Sequence, residues 1–235
     1  FALVADQKNH RVRRVDLLPE DGEGGGGGGG GGAHAVSTLA GGDSWDVVDD
    51  DTSGADVRFN RPMGIAIGVD PATGAAFAVV TDYGGHTVRL ITDLATGATT
   101  TIAGKATVGG NADGAVGTDA RFRNPYGVAV DPVGGTFALV TDWNNHAVRR
   151  IDLTGPNYPV SNVAGVQCES PECSGSDDGV GKTAKFKFPA GIALDPSHGS
   201  YAIIADSGNN LVRKLVLATR AVTTLAGTGA AGGII

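Results

Sequence analysis

The chain repeats one pattern four times, and that recurrence constrains its fold more than any other feature. FALVADQKNHRVRRVD from Phe1, FAVVTDYGGHTVRLIT from Phe77, FALVTDWNNHAVRRID from Phe137 and YAIIADSGNNLVRKLV from Tyr201 superpose without gaps. Each is followed by a short segment ending in Gly: STLAG at Ser37, TTIAG at Thr100, SNVAG at Ser161 and TTLAG at Thr223. Three units have a Pro-x-Gly lead-in, RPMGIAIGVDP, NPYGVAVDP and FPAGIALDP. Counted between aspartates, the period is 60 residues from Asp82 to Asp142 and 64 from Asp142 to Asp206. An insertion lengthens the interval from Asp6 to Asp82.

Each full unit holds four short apolar runs bounded by turn signals. In the third unit they are GVAV (Gly127–Val130), TFALV (Thr136–Val140), AVRRI (Ala147–Ile151) and SNVA (Ser161–Ala164). Runs of this length are strands, and none sustains a 3.6-residue period over ten residues. Four strands per unit predict one sheet per repeat, and radial repetition of four-stranded sheets is a β-propeller. Glycine supports this reading. It supplies 39 of 235 residues, against roughly 7 % in average usage, as suits an all-β chain with many turns at positive φ.

The pattern of Pro-x-Gly-[Ile/Val]-Ala, a strand running into Asp-x-x-Asn-[His/Asn]-x-Val-Arg, and a closing [Leu/Ile/Val]-Ala-Gly resembles the NHL repeat. The linking run DG-x-x-x-x-A-x-F-x-x-P-x-G, as in DGVGKTAKFKFPAG (Asp178–Gly191), adds to the match. The resemblance covers essentially the whole chain. Two units depart from it: the second has Gly84–Gly85–His86 where the family prefers Asn, and the fourth has Asn210 in place of His. The resemblance implies an all-β propeller of NHL type, with four-stranded antiparallel blades. About 3.75 blades are expected here, as part of a six-bladed ring. The expected divisions are 1–57 (a partial blade carrying the polyglycine insertion 24–32), 58–120, 121–184 and 185–235. The chain opens on FALVAD, as if in mid-strand, so it is read as an excerpt of a longer protein.

A four-stranded meander alternates direction, so the link between blades and the link between strands two and three share one end, here the top. The turn Asp142–His146 is therefore expected on top, beside the inter-blade connections 42–61, 105–124 and 167–188. The Asp-Pro turns (Asp70–Pro71, Asp131–Pro132, Asp195–Pro196) and the glycine run, read as a flexible surface loop, fall at the bottom.

TDWNNHAVRRID, from Thr141, looks like an assembled polar site until its recurrence is counted. Asp6, Asp82, Asp142 and Asp206 end equivalent strands, where a carboxylate can accept backbone N–H groups of the following turn. His10, His86, His146 and Asn210 share one position, as do Arg13, Arg89, Arg149 and Arg213. A catalytic group is needed once and a turn in every blade, so these are structural residues. Three histidines on one axis could form a zinc site, but equivalent positions on different blades lie apart; no metal, cofactor or catalytic residue is expected. Variation within the fixed frame is more telling. Gln7, Tyr83, Trp143 and Ser207 follow the aspartates, and Met63, Tyr126 and Ala190 stand between Pro and Gly at the channel mouth. Exposed Tyr, Trp and Met bury much area at low entropic cost. Tyr126, Met63, Trp143 and Tyr83 are the candidate contacts for a protein or other macromolecular partner at the top-face loops.

Cys168 and Cys173 are close enough for a small disulfide loop, the alternative being two free thiols; no second Cys pair or His supports zinc. A disulfide would tilt an otherwise unspecified compartment toward secreted or extracellular. Asp49–Asp50–Asp51, with Asp43, Asp46 and Asp56, lacks the spacing of an EF-hand and reads as a solvated acidic loop. No nucleophile elbow, Walker loop or HExxH motif is present. A net charge of −7 disfavours nucleic acid, and no apolar run approaches the ~20 residues that span a bilayer. The expected function is a non-catalytic binding scaffold. By resemblance, the alternatives are a lyase or lactonase, as in peptidyl-amidoglycolate lyase-like propellers, or RNA binding, as in the tripartite-motif NHL family. The sequence leans against an enzyme, and the top loops hold more Asp and Glu than Lys and Arg.

Overall fold

The computed structural model describes residues 1–17, 34–42, 52–167 and 171–230. The glycine run 24–32 and the acidic residues 43–51 lie outside them. Sixteen strands form four antiparallel sheets among the described residues. The first unit contributes β1 (Ala2–Asp6), β2 (Arg11–Val15) and β3 (Val36–Ala40). The second holds β4 (Pro62–Val69), β5 (Ala76–Asp82), β6 (Thr87–Asp93) and β7 (Ala98–Gly104). The third holds β8 (Pro125–Val130), β9 (Phe137–Asp142), β10 (Ala147–Asp152) and β11 (Val160–Ala164). In the fourth, the link segment β12 (Gly179–Val180) pairs outside the sheet of β13 (Pro189–Leu194), β14 (Tyr201–Asp206), β15 (Leu211–Val216) and β16 (Ala221–Ala226). Links touch outer strands elsewhere too, through the bridges Thr52–Thr99 and Gly114–Val160.

Side chains alternate across a strand, so each central sheet is apolar on both faces. Ala138 and Val140 of β9 pack with Val79, Val88 and Leu90 of the second unit, whereas Phe137 and Leu139 pack with Ile204 and Leu215 of the fourth. A third core joins the first unit to the second through Val12, Leu39, Phe59, Ala78 and Val80. Each fully buried Val, Leu, Ile or Phe contributes about 1.5–3 kcal/mol. All six residues of β9 are buried, but β14 alternates between buried and partly exposed, and β1 is partly exposed throughout. One strand pattern is thus covered on both faces in the middle of the molecule and less completely at its flanks.

Two irregularities recur. Strands three and four slip register at each Val–Arg pair, Val12/Arg13, Val88/Arg89, Val148/Arg149 and Val212/Arg213, as bulges that add local twist. The Pro-x-Gly lead-in is where successive inner strands meet. A Cβ on Gly64 would lie 2.6 Å from the Tyr126 carbonyl, and one on Gly127 2.4 Å from that of Ala190. Thr81 Oγ1 donates to the same Tyr126 oxygen at 2.6 Å and accepts the Gly64 N–H at 2.8 Å. Thr141 repeats this with Ala190 at 2.6 Å and Gly127 at 2.7 Å.

Candidate functional site

The strand-two to strand-three turns and the inter-blade links share one end, and the links hold the turns. In the third unit, Asp142 Oδ1 accepts the Arg123 N–H at 2.7 Å, while Oδ2 accepts Asn145 Nδ2 at 2.8 Å and Arg149 Nη1 at 2.9 Å. Arg149 also donates to Asp113 Oδ1 at 2.7 Å and lies 4.9 Å from the centroid of Phe122. The fourth unit repeats the device. Asp206 accepts the Lys187 N–H at 2.7 Å, Asn209 at 2.8 Å and Arg213 at 2.9 Å, and Arg213 reaches Asp178 at 2.9 Å over Phe186. The Asp-Gly and Phe of the link motif are therefore the second carboxylate and the ring that enclose a buried arginine. In the first unit Asn9 donates to both oxygens of Asp6.

The second unit departs. Asp82 Oδ1 accepts the Asn60 N–H at 2.7 Å, but Gly85 replaces the asparagine, and among the described residues the buried Oδ2 has no hydrogen-bond partner. Burial raises this carboxyl to about 7, against the opposing pull of the Asn60 N–H and of Arg89. Burial also raises Asp142, to about 6, with Arg149 and Asn145 opposing, and raises Asp206.

His10, His86, His146 and Asn210 all adopt left-handed backbone, with φ of 56°, 61°, 54° and 53°. Asn is enriched at such positions, which explains its replacement of His in the fourth unit. Each imidazole then reaches across to the next unit. Nδ1 of His10, His86 and His146 accepts the N–H of Arg61 (3.2 Å), Asn124 (3.1 Å) and Phe188 (3.1 Å), the residues just before the Pro-x-Gly prolines. A ring nitrogen that accepts this bond leaves the proton on Nε2. Burial lowers the pKa of His86 and His146, assisted by Arg123 and Lys187 respectively. Among the described residues no group of three or more His, Cys, Asp or Glu is placed to hold a metal ion.

Above these turns lies a continuous row of rings. Tyr126 meets Tyr83 edge-on at 6.2 Å, Tyr83 meets Trp143 at 6.0 Å, Trp143 meets Phe188 at 4.4 Å, and Phe188 meets His146 at 4.8 Å. Arg61 lies 5.0 Å from the Tyr83 centroid. All four Tyr, Trp and Phe residues are half-buried. Three of the four candidate contacts, Tyr83, Tyr126 and Trp143, thus come together, while half-buried Met63 holds the Tyr126 position one unit earlier. Sequence reasoning missed Phe188. Its signal lay in the residue before the proline, which reads Arg61, Asn124 and Phe188 in the three units. Cys173 is disulfide-bonded, and its expected partner, Cys168, lies outside the described residues.

Four-stranded antiparallel sheets packed face to face along their inner strands make this a β-propeller segment. Its repeats resemble the NHL repeat, and proteins named for that repeat are among those it is similar to. The chain is 28 % identical to NHL repeat-containing protein 2 of Bos taurus over 254 residues, covering 99 % of this chain and 32 % of that protein. It is 26 % identical over 231 residues to Protein SUPPRESSOR OF QUENCHING 1, chloroplastic, of Arabidopsis thaliana, covering 97 % of this chain and 20 % of that one. The chain thus spans a third or less of these relatives. No protein-family model matches it. Among solved structures, an auxiliary nutrient binding protein from Bacteroides thetaiotaomicron superposes with a TM-score of 0.59 at 18 % identity, over 94 % of this chain and 44 % of that one. At that identity the likeness concerns the fold alone. No described helix is long and apolar enough to cross a membrane.

Proposed function

We propose that the chain is a non-catalytic binding scaffold that engages a protein partner through the top-face row Tyr126–Tyr83–Trp143–Phe188. The contiguity of these half-buried rings carries the reading. They arise where the repeat varies, and rigid aromatic side chains are the usual anchors of protein interfaces. The recurrent Asp and His accept backbone N–H groups, which supports structural duty over the chemistry of a lyase or lactonase. One observation favours a second reading, RNA binding: Arg61 stacks on Tyr83 and Lys187 adjoins Phe188, and rings flanked by cations suit stacked bases.

The test is photo-cross-linking of the intact protein from a benzoylphenylalanine at position 126. A discrete protein adduct, lost in Tyr83→Ala/Trp143→Ala while the thermal unfolding temperature holds, is expected. An undiminished adduct would overturn the assignment of the face. Salt-sensitive binding of an oligouridine that the same double substitution weakens would instead favour RNA.

A further inference from the structure

At the opposite end of the molecule, three of the four units place a cation over an aromatic ring. Arg14 lies 4.4 Å from the centroid of Phe1, Arg150 3.9 Å from that of Phe137, and Lys214 4.4 Å from that of Tyr201. The cation follows the Val–Arg pair on strand three, and the ring opens strand two. In the second unit the ring is kept as Phe77, but the cation's position is Leu90.

The carboxylate of the same corner changes too. Asp131 Oδ2 accepts the Thr136 hydroxyl at 2.7 Å, and Asp195 Oδ2 accepts that of Ser200 at 2.9 Å. The second unit has Ala75 and Ala76 before its ring in place of the hydroxyl residue. Asp70 uses Oδ1 to accept the Ala72 and Thr73 N–H groups, at 2.7 and 3.2 Å, and among the described residues its Oδ2 accepts nothing. Between the second and third units these two changes coincide with a cavity of about 360 Å³. Phe77, Leu90, Leu153 and Tyr158 give it apolar walls, three threonines (Thr92, Thr136 and Thr154) add hydroxyls, and Asp70 is the one charged residue of its lining.

We propose that this bottom-face cleft is a binding subsite for a guanidinium group, which would lie over Phe77 and donate to Asp70 Oδ2. The third unit shows the arrangement with an internal ligand: Arg150 lies over Phe137 and interacts electrostatically with Asp152 and Asp131, the counterpart of Asp70. A guanidinium on a ring face gains cation–π attraction, and its planar fork suits a carboxylate. The subsite is remote from the top-face row and independent of it.

The experiment is titration of the intact protein with N-acetyl-arginine methylamide, its citrulline analogue, and a short peptide with one central arginine. The arginine amide binds saturably and the citrulline analogue, lacking the charge, at least about tenfold more weakly. Asp70→Asn weakens binding by a similar factor, and Leu90→Arg, which restores the internal cation, abolishes it. Should Leu90→Arg unfold, Asp70→Asn still decides. Tighter binding of the peptide assigns the subsite to a protein side chain, and equal binding to a small guanidinium compound; either supports the proposal. Equal affinity for citrulline, or wild-type affinity in Asp70→Asn, overturns it.

Discussion

The second and third units differ at both ends of otherwise matching sheets. The third supplies partners to both of its aspartates: Asn145 and Arg149 meet Asp142 on top, and Thr136 and Arg150 serve the Asp131 corner below. The second has Gly85, Ala75 and Leu90 at the corresponding places. Its Asp82 keeps one buried oxygen with no hydrogen-bond partner among the described residues, and its lower corner opens into a cleft. Its strand order, its bulge at the Val–Arg pair and its histidine stitch to the next unit are nevertheless kept. The sheet and the packed faces therefore hold the unit, and individual polar partners can be dropped where the remaining contacts suffice.

The largest expected effect tests that contrast directly. Asp142→Ala removes one partner of a buried ion pair and should cost roughly 3–5 kcal/mol in urea unfolding. Asp82→Ala, which removes a carboxylate already short of a partner, should cost less than half as much. Equal costs would break the comparison. A reciprocal exchange sharpens it: Gly85→Asn should stabilise by about 1 kcal/mol by supplying the Asp82 donor, and Asn145→Gly should destabilise by about as much or more.

The pH dependence comes next. The Asp82 carboxyl rises from 3.8 to about 7 on folding, so its contribution is complete below 3.8 and is lost as pH rises through 7. Thermal scans should show this loss, Asp82→Asn should flatten it, and Gly85→Asn should shift it to lower pH. Asp142, raised to about 6, has the same sign over a narrower window. The smallest effect is one in which the two units should agree. His86→Ala and His146→Ala each lose one bond to the next unit, at about 1 kcal/mol. Both histidines have lowered pKa values, so this contribution is present above their unfolded value and is lost as pH falls below about 6.5. A difference between the two would mean that the stitch depends on the turn beneath it.

Much of this was legible in the residues. The assignment of Asp142 and His146 to a turn followed from their recurrence, and the alternation of turns and links placed them at one end. The role of the link motif was less legible. DG-x-x-x-x-A-x-F marked a boundary in the sequence, but only the packed structure puts Asp113 and Phe122 on either side of Arg149. Phe188 was overlooked because it contacts Trp143 across a unit boundary, 45 positions along the chain.

The sequence by itself determined the repeat, the four-stranded sheet and the turn chemistry, because these rest on local spacing, side-chain alternation and residues that tolerate positive φ. Tertiary structure decided which variable residues come together. Tyr83, Tyr126, Trp143 and Phe188 become one surface, and Leu90, Phe77 and Asp70 one cleft, only when neighbouring sheets pack face to face. Distances between sheets are set by that packing, not by the order of residues within a repeat.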